Sequence, residues 1–438
     1  MLGVEVKTMI YKDLNIEELE KELAKVNEEF NRLKGLNLSI NMSRGQPSQE
    51  QLDLSMPMMD VLNSKADLRC EDGIDCRNYG VLGGINEAKK LLGDLIEVPA
   101  SNIIIYGNSS INVMYDQVAR SFAKGVMGST PWCKLDKVKW LCPVPGYDRH
   151  FAITEYFGIE MINIPMNQDG PDMDLVEKLV SEDESIKGIW CVPKYSNPSG
   201  ITYSKEVVNR FAHLKPKAKD FRIYWDNAYS VHHLYFDNPD YLDEILNECK
   251  KAGNPDIVYK FTSTSKISFP GSGIAALAAS DANLVDIKKQ LSIQTIGFDK
   301  VNQLRQVRYF KNLDGIKEQM RKHANILRPK FEAAEEILDA NLGGLGIGNW
   351  TKPHGGYFIS YDGYNGTAKE IVAKCKEIGI LLTDAGAAFP YHLDPNDSNI
   401  RIAPSAPQLD KVKEAIYAFC VVSKMVTLQK LINEKKEG

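Results

Sequence analysis

The chain has no CxxC pair and no His-Glu-x-x-His motif, so the common sequence signatures of zinc sites and thiol redox centres are missing. Its eight cysteines, Cys70, Cys76, Cys133, Cys142, Cys191, Cys249, Cys375 and Cys420, are scattered, as expected of reduced thiols in a cytoplasmic protein. Core or surface positions are expected for all seven histidines, and no metal site is expected. The apolar run Ile274–Ala279 is far too short to cross a bilayer. Met1 to Asn15 lacks the apolar stretch and small-residue cleavage site of a signal peptide. Positive charge is not in excess: 53 Lys and Arg face 58 Asp and Glu, for a formal net charge of −5. Neither a nucleic acid nor a membrane is therefore an expected partner. There is no internal repeat and no low-complexity tract. What remains is a chain of 438 residues, 43% apolar and 25% charged, long enough for a sizeable core and two domains.

Apolar residues recur at helical spacing from Ile16 to Lys34. An irregular polar stretch, Asn41 to Ser55, follows. Helical patterns then alternate with candidate strands at Ile103–Tyr106, Val138–Cys142, Met161–Ile164, Gly188–Val192, Arg222–Trp225, Ile257–Lys260 and Ile274–Ala279. That alternation predicts an α/β domain with a mainly parallel, seven-stranded sheet. Beyond Asp281 one long charged helical region runs through Arg305, Lys311 and Arg321 to about Leu338. Strand-like pieces Tyr357–Tyr361 and Asn399–Ile402 flank a helix around Ala368–Ile378, and a last helix covers Leu409–Leu431. The expected division is a large domain at 56–310 and a smaller α/β domain built from 1–55 and 311–438.

In open α/β sheets ligands gather where the strands' carboxyl ends meet their loops, so the residues after each strand carry the most information. Asn108-Ser109-Ser110 precede a helix whose first N–H groups suit a phosphate, although an ordinary helix cap has the same composition. Pro143-Val144-Pro145-Gly146 presents Tyr147. Asn197 sits in Asn-Pro-Ser-Gly, common turn chemistry. Asp226-Asn227-Ala228-Tyr229 emerges directly from an apolar strand. Ser263-Thr264-Ser265-Lys266 sets a lysine amid hydroxyls. Singly, each has a structural explanation as good as a functional one.

Together, Asn197, Asp226 with Tyr229, and Ser263-x-Ser265-Lys266 fall in order at the ends of successive strands. This arrangement resembles the fold-type I pyridoxal-phosphate-dependent aminotransferases of class I, over about Asn41 to Ser405. The divergent aspartate aminotransferase branch is the most similar, through Ser43-Arg44-Gly45-Gln46-Pro47-Ser48, Asn78-Tyr79-Gly80-Val81-Leu82-Gly83 and Asp226-Asn227-Ala228-Tyr229.

The resemblance implies that Lys266 carries pyridoxal 5'-phosphate as a Schiff base and later moves the substrate proton. Asp226 would face the pyridine nitrogen and keep it protonated, since a nearby carboxylate favours the charged form. Asn197 and Tyr229 would bond the cofactor's phenolic oxygen, and Tyr147 would stack on its ring. Asn108, Ser109, Ser110, Ser263 and Ser265 would hold the phosphate, with Tyr79 reaching it from the neighbouring subunit of a homodimer. Arg401, in Asn399-Ile400-Arg401-Ile402, would clamp the substrate α-carboxylate with its planar fork; an ordinary arginine on an edge strand is the alternative. Gly45 would close over the substrate, and Arg44, Arg77 and Arg149 are candidates for a distal carboxylate, a surface or structural ion pair being the equal alternative for each. Pro353-His354-Gly355-Gly356-Tyr357-Phe358 and Ala385-Gly386-Ala387-Ala388-Phe389 resemble segments lining the substrate side. One departure stands out. Relatives usually carry an arginine in a Gly-x-Arg-x-Gly pattern after the lysine, whereas Phe269-Pro270-Gly271-Ser272-Gly273-Ile274 has none.

The implied activity is ping-pong transamination between an L-amino acid, best matched by L-aspartate, and a 2-oxo acid, best matched by 2-oxoglutarate. An aromatic or neutral amino acid aminotransferase and a β-lyase share the same cofactor shell. A non-catalytic, cofactor-binding ligand sensor is the rival from another class. It would need a basic DNA-binding module, for which about 40 residues before Ser43, with one evident helix, leave little room.

Overall fold

The computed structural model describes residues 10–437. Its centre is an eight-stranded sheet: β1 (Ile103–Ile105), β2 (Lys139–Val144), β3 (Glu160–Asn167), β4 (Gly170–Pro171), β5 (Ile186–Cys191), β6 (Arg222–Asp226), β7 (Val258–Ser263) and β8 (Ala275–Ala278), in the spatial order β1-β8-β7-β6-β5-β2-β3-β4. All seven strands expected from the sequence are present. The sheet is nevertheless mixed, not simply a parallel seven-stranded one. Four pairings are parallel and three are antiparallel. Two short connections account for the difference. The turn at Asp169 folds β4 back on β3. The segment between Ser263 and Ala275 contains no helix, so β8 returns beside β7 antiparallel, where a parallel neighbour would need a long crossover. Lys266 rides on that return. Strands β5, β6 and β7 are buried along their whole length, as required when both faces of a sheet are covered.

A second layer forms around three helices. Helix α1 (Ile16–Gly35) starts at a reciprocal cap in which Asn15 and Glu18 satisfy each other's backbone N–H groups. It packs on the C-terminal helix, which runs from Leu409 to Glu437 and also packs on the helix Leu313–Leu342. By length and composition the C-terminal helix could cross a membrane, but 78% of its most apolar window is buried inside the protein, where it forms the centre of this layer. A three-stranded antiparallel sheet, β9 (Gly348–Trp350), β10 (Ile359–Gly363) and β11 (Asn399–Ile402), lies alongside. Ile40–Asn41 pairs in parallel with Ile380–Leu381.

Two expectations are corrected by these elements. The charged region near Arg305 is two helices, Lys300–Phe310 and Leu313–Leu342. Between them Lys311 takes φ +65° and the Asn312 side chain accepts from Gly315 N. A Cβ at Gly315 would sit 1.9 Å from the Phe310 carbonyl oxygen, so only glycine fits so tight a break. The stretch from Asn41 to Ser55 is not wholly irregular either. Ser48 and Gln51 form a capping box for a short helix, Gln49–Asp53, and Gln51 becomes a contact to the site.

Candidate active site

Asp226 is the last residue of β6 and only 3% exposed. Its Oδ2 accepts a hydrogen bond from His150 Nε2 at 3.1 Å. The His150 ring stacks on Trp190, centroids 4.5 Å apart and planes 14° apart, and meets Tyr147 edge-on at 4.9 Å. Tyr147 caps the helix α3 (Asp148–Tyr156), on which His150 stands three residues later. No histidine was singled out by the sequence; the spacing of three from Tyr147, one face at a helix start, was the available signal. The other carboxylate oxygen, Asp226 Oδ1, is buried with no hydrogen-bond partner among the described residues. A lone buried carboxylate oxygen is costly, and the protonated nitrogen of a pyridine ring would satisfy it.

Lys266 lies on the return between β7 and β8, with Nζ 4.8 Å from the centroid of the Tyr229 ring. Tyr229 is buried. That burial, with the Asp226 charge adding to it, pushes its phenol well above the ordinary range and keeps it a hydrogen-bond donor. Burial also raises the Tyr147 phenol to about 12. Tyr357 donates to the Lys266 carbonyl oxygen at 3.4 Å and accepts from Gln51 Nε2 at 3.2 Å. The same Gln51 nitrogen lies 3.0 Å from His323 Nδ1. The lysine loop is thus tied to the segment after Ser48 and to the helix Leu313–Leu342. His232 packs edge-on against Tyr229 and Tyr357. Burial first, then the neighbouring Lys266 charge, push its imidazole far below the usual range, so it is neutral.

Of the expected phosphate residues, Asn108 and Ser265 are in contact. Ser109 caps the helix α2, which is here Ser110–Lys124 and precedes α3 in the chain, but its hydroxyl makes no capping bond and is unspent. Asn108 Nδ2 donates to the Pro270 carbonyl at 3.2 Å, and Ser265 Oγ donates to the Asn108 carbonyl at 2.5 Å. Ser263 is buried at the end of β7. No arginine follows Lys266 in this loop. A guanidinium does reach it from the helix Lys300–Phe310: Arg305 donates from Nη2 to Ser272 Oγ and, at 2.6 Å, to Asn302 Oδ1. Tyr79 is 81% exposed and borders no part of the cavity formed within one chain.

That cavity, of about 470 Å³, is lined among others by Tyr147, Asn197, Tyr229, Lys266 and Arg401, but not by Asp226 or by the expected phosphate residues. Arg401, on β11, is 8% exposed. Its Nη1 donates to Asp148 Oδ1 at 2.6 Å and to Asn197 Oδ1 at 3.4 Å, its Nη2 donates to Thr383 Oγ1 at 3.4 Å, and its Nε has no partner among the described residues. The guanidinium lies over the Phe358 ring, 5.0 Å from its centroid. Arg44 and Arg149 stand exposed on the cavity rim. Arg77 does not join them, being paired with Asp75 on the surface. At Gly45 a Cβ would fall 2.3 Å from Phe358 Cζ. Gly45→Ala is therefore expected to push that ring from under Arg401, lowering stability by about 1–3 kcal/mol. Urea unfolding measures this; an unchanged midpoint would show that the ring moves freely.

An amine, a buried carboxylate and an unspent helix cap at the carboxyl edge of this sheet belong to a recognisable class of protein, the fold-type I pyridoxal-phosphate-dependent aminotransferases of class I. The crystal structure of an aspartate transaminase from Corynebacterium glutamicum superposes with a TM-score of 0.94 at 41% identity, covering 97% of this chain and all of that one. Residues 14–435 match the family model described as aspartate amino-transferase, and the chain belongs to that family. The aspartate aminotransferase of Corynebacterium glutamicum is 44% identical over 400 residues, 91% of this chain and 92% of its own. The fold also matches an α-aminoadipate aminotransferase from Thermus thermophilus, complexed with N-(5'-phosphopyridoxyl)-L-leucine, with a TM-score of 0.72 at 17% identity over 93% and 95% of the two chains.

Proposed function

We propose that this pyridoxal-phosphate-dependent aminotransferase moves an amino group between L-aspartate and 2-oxoglutarate in a cytoplasmic homodimer. The observation that carries the choice of substrates is the cavity itself, where the near-buried Arg401 and the rim residues Arg44 and Arg149 converge on the space beside Lys266. Two separated guanidinium positions suit a substrate with two carboxylates.

When bound, the cofactor joins an amine through its aldehyde carbon and draws electrons from the substrate α-carbon into its protonated ring. Asp226 would hold the proton on the ring nitrogen, and His150, packed on Trp190, fixes the orientation of that carboxylate. Lys266 Nζ would hold the cofactor and is placed to move the proton of the substrate α-carbon. Tyr229 and Asn197 would donate to the phenolic oxygen, and Tyr147 would cover one face of the ring and exclude water. Asn108, Ser109, Ser110, Ser263 and Ser265 would hold the phosphate, joined by Tyr79 of a second subunit. Arg401 orients the α-carboxylate from the smaller domain, 1–55 with 311–438, against the larger one at 56–310, and Gly45 lets the two close together.

A screen of amino donors with 2-oxoglutarate, following the glutamate formed from each donor, tests the substrates. Aspartate should lead it. Preference for phenylalanine, or pyruvate release from cysteine conjugates, would place the chain with the aromatic transaminases or the β-lyases instead. Arg401→Gln should raise the KM for aspartate roughly a hundredfold, because a charge-assisted pair is lost at a site with little water. A KM within twofold of the parent would remove Arg401 from the site.

A further inference from the structure

The fork expected to bind the substrate is already engaged. Asp148 opens helix α3, where the helix dipole favours a carboxylate, and its neighbours Tyr147 and His150 are held by the site. That leaves its side chain, about a quarter exposed, in contact with the buried Arg401 at 2.6 Å. We infer that Asp148 is an internal competitor: its carboxylate occupies Arg401 in the resting enzyme and gives way to the α-carboxylate of each substrate. This rests on the reading of Arg401 as the α-carboxylate site.

The physical argument is one of valence. Arg401 is hemmed in by Asn197, Thr383 and the Phe358 ring, so a second carboxylate near Nη1 would meet the charge of the first at close range in a half-dry cavity. Repulsion at that distance costs several times more than in water. The contact with Asp148 uses a single nitrogen, whereas a free ligand can take two, so exchange favours the ligand only modestly. Both halves of a ping-pong reaction must release an α-carboxylate product. An unpaired, desolvated arginine would retain it, while Asp148 recaptures the fork as the product departs. Arg44, Arg149 and Lys266 are the other charges facing this space, and all are cationic, so Asp148 is the carboxylate that limits anion affinity along this wall.

The test is calorimetric titration of the cofactor-loaded enzyme with propanoate and with glutarate, neither of which can react. Asp148→Asn removes the charge and keeps the shape; both ligands should bind roughly tenfold tighter, and the KM for aspartate should fall by a like factor. Unchanged or weaker binding in the variant would overturn the inference and make Asp148 a support for Arg401. Arg401→Gln separates the two ideas: if it retains propanoate affinity, the assignment of Arg401 fails, whatever Asp148→Asn does. Should the asparagine variant not fold, a crystal structure of the parent with glutarate decides. The ligand should break the contact between Asp148 and Arg401, and survival of that contact beside bound glutarate would refute the competition.

Discussion

Lys266→Ala is expected to fold, to bind pyridoxal phosphate without covalent attachment, and to lose at least about 10⁴-fold in kcat, since in the proposed mechanism one amine serves as anchor and as proton carrier. Folding should survive because the alanine leaves the loop's backbone bonds in place: the Lys266 carbonyl still accepts from Tyr357, and Thr264 Oγ1 still accepts from the Ile274 amide. Borohydride reduction followed by peptide mass analysis reads the attachment directly. The parent should carry the cofactor on the Lys266 peptide and the variant on none. Cofactor found on another lysine, or near-native turnover by the variant, would end the assignment.

The second large effect belongs to Asp226. Its Oδ2 is spent on His150 and its Oδ1 on nothing among the described residues, which leaves one oxygen for the ring nitrogen. Asp226→Asn keeps the size but removes the charge that holds a proton there; kcat should fall by about 10³-fold or more. Cofactor affinity, measured by fluorescence titration, should drop far less, because the phosphate is held at the other end. A loss confined to affinity, with kcat restored at saturating cofactor, would mean that Asp226 only binds. His150 makes a useful contrast: it acts through Asp226 and should have the smaller influence of the two.

Much of the fold was legible because parallel strands covered on both faces read as apolar runs, and the runs ending at Trp225 and Lys260 placed Asp226 and Lys266 at one edge of the sheet. The antiparallel return of β8 was not legible, because a short apolar strand has no direction in a one-dimensional pattern. The break at Lys311 was hidden by helix-forming residues on both sides; only Asn312 and Gly315 marked it. Within the site, residues chosen by type and place did converge: Tyr147, Asn197, Tyr229, Lys266 and Arg401 border one cavity. Those that act through a neighbour were missed. His150 looks like any core histidine until its partner across 76 residues is known, and Asp148 reads as a helix-start acid. Arg77 was a candidate by charge alone, and a local partner, Asp75, claims it. Such contacts depend on chain segments far apart, which no local pattern records.

The apolar helix Leu409–Glu437 has a consequence for the birth of the protein. Its partner α1 is made early, yet the surface on which α1 packs is synthesised only after the entire central sheet. Local contacts cannot complete this layer, so its closure is among the slowest steps of folding. Until then the growing polypeptide presents an unsheltered greasy stripe near its beginning and, briefly, a segment that could pass for a bilayer anchor near its end.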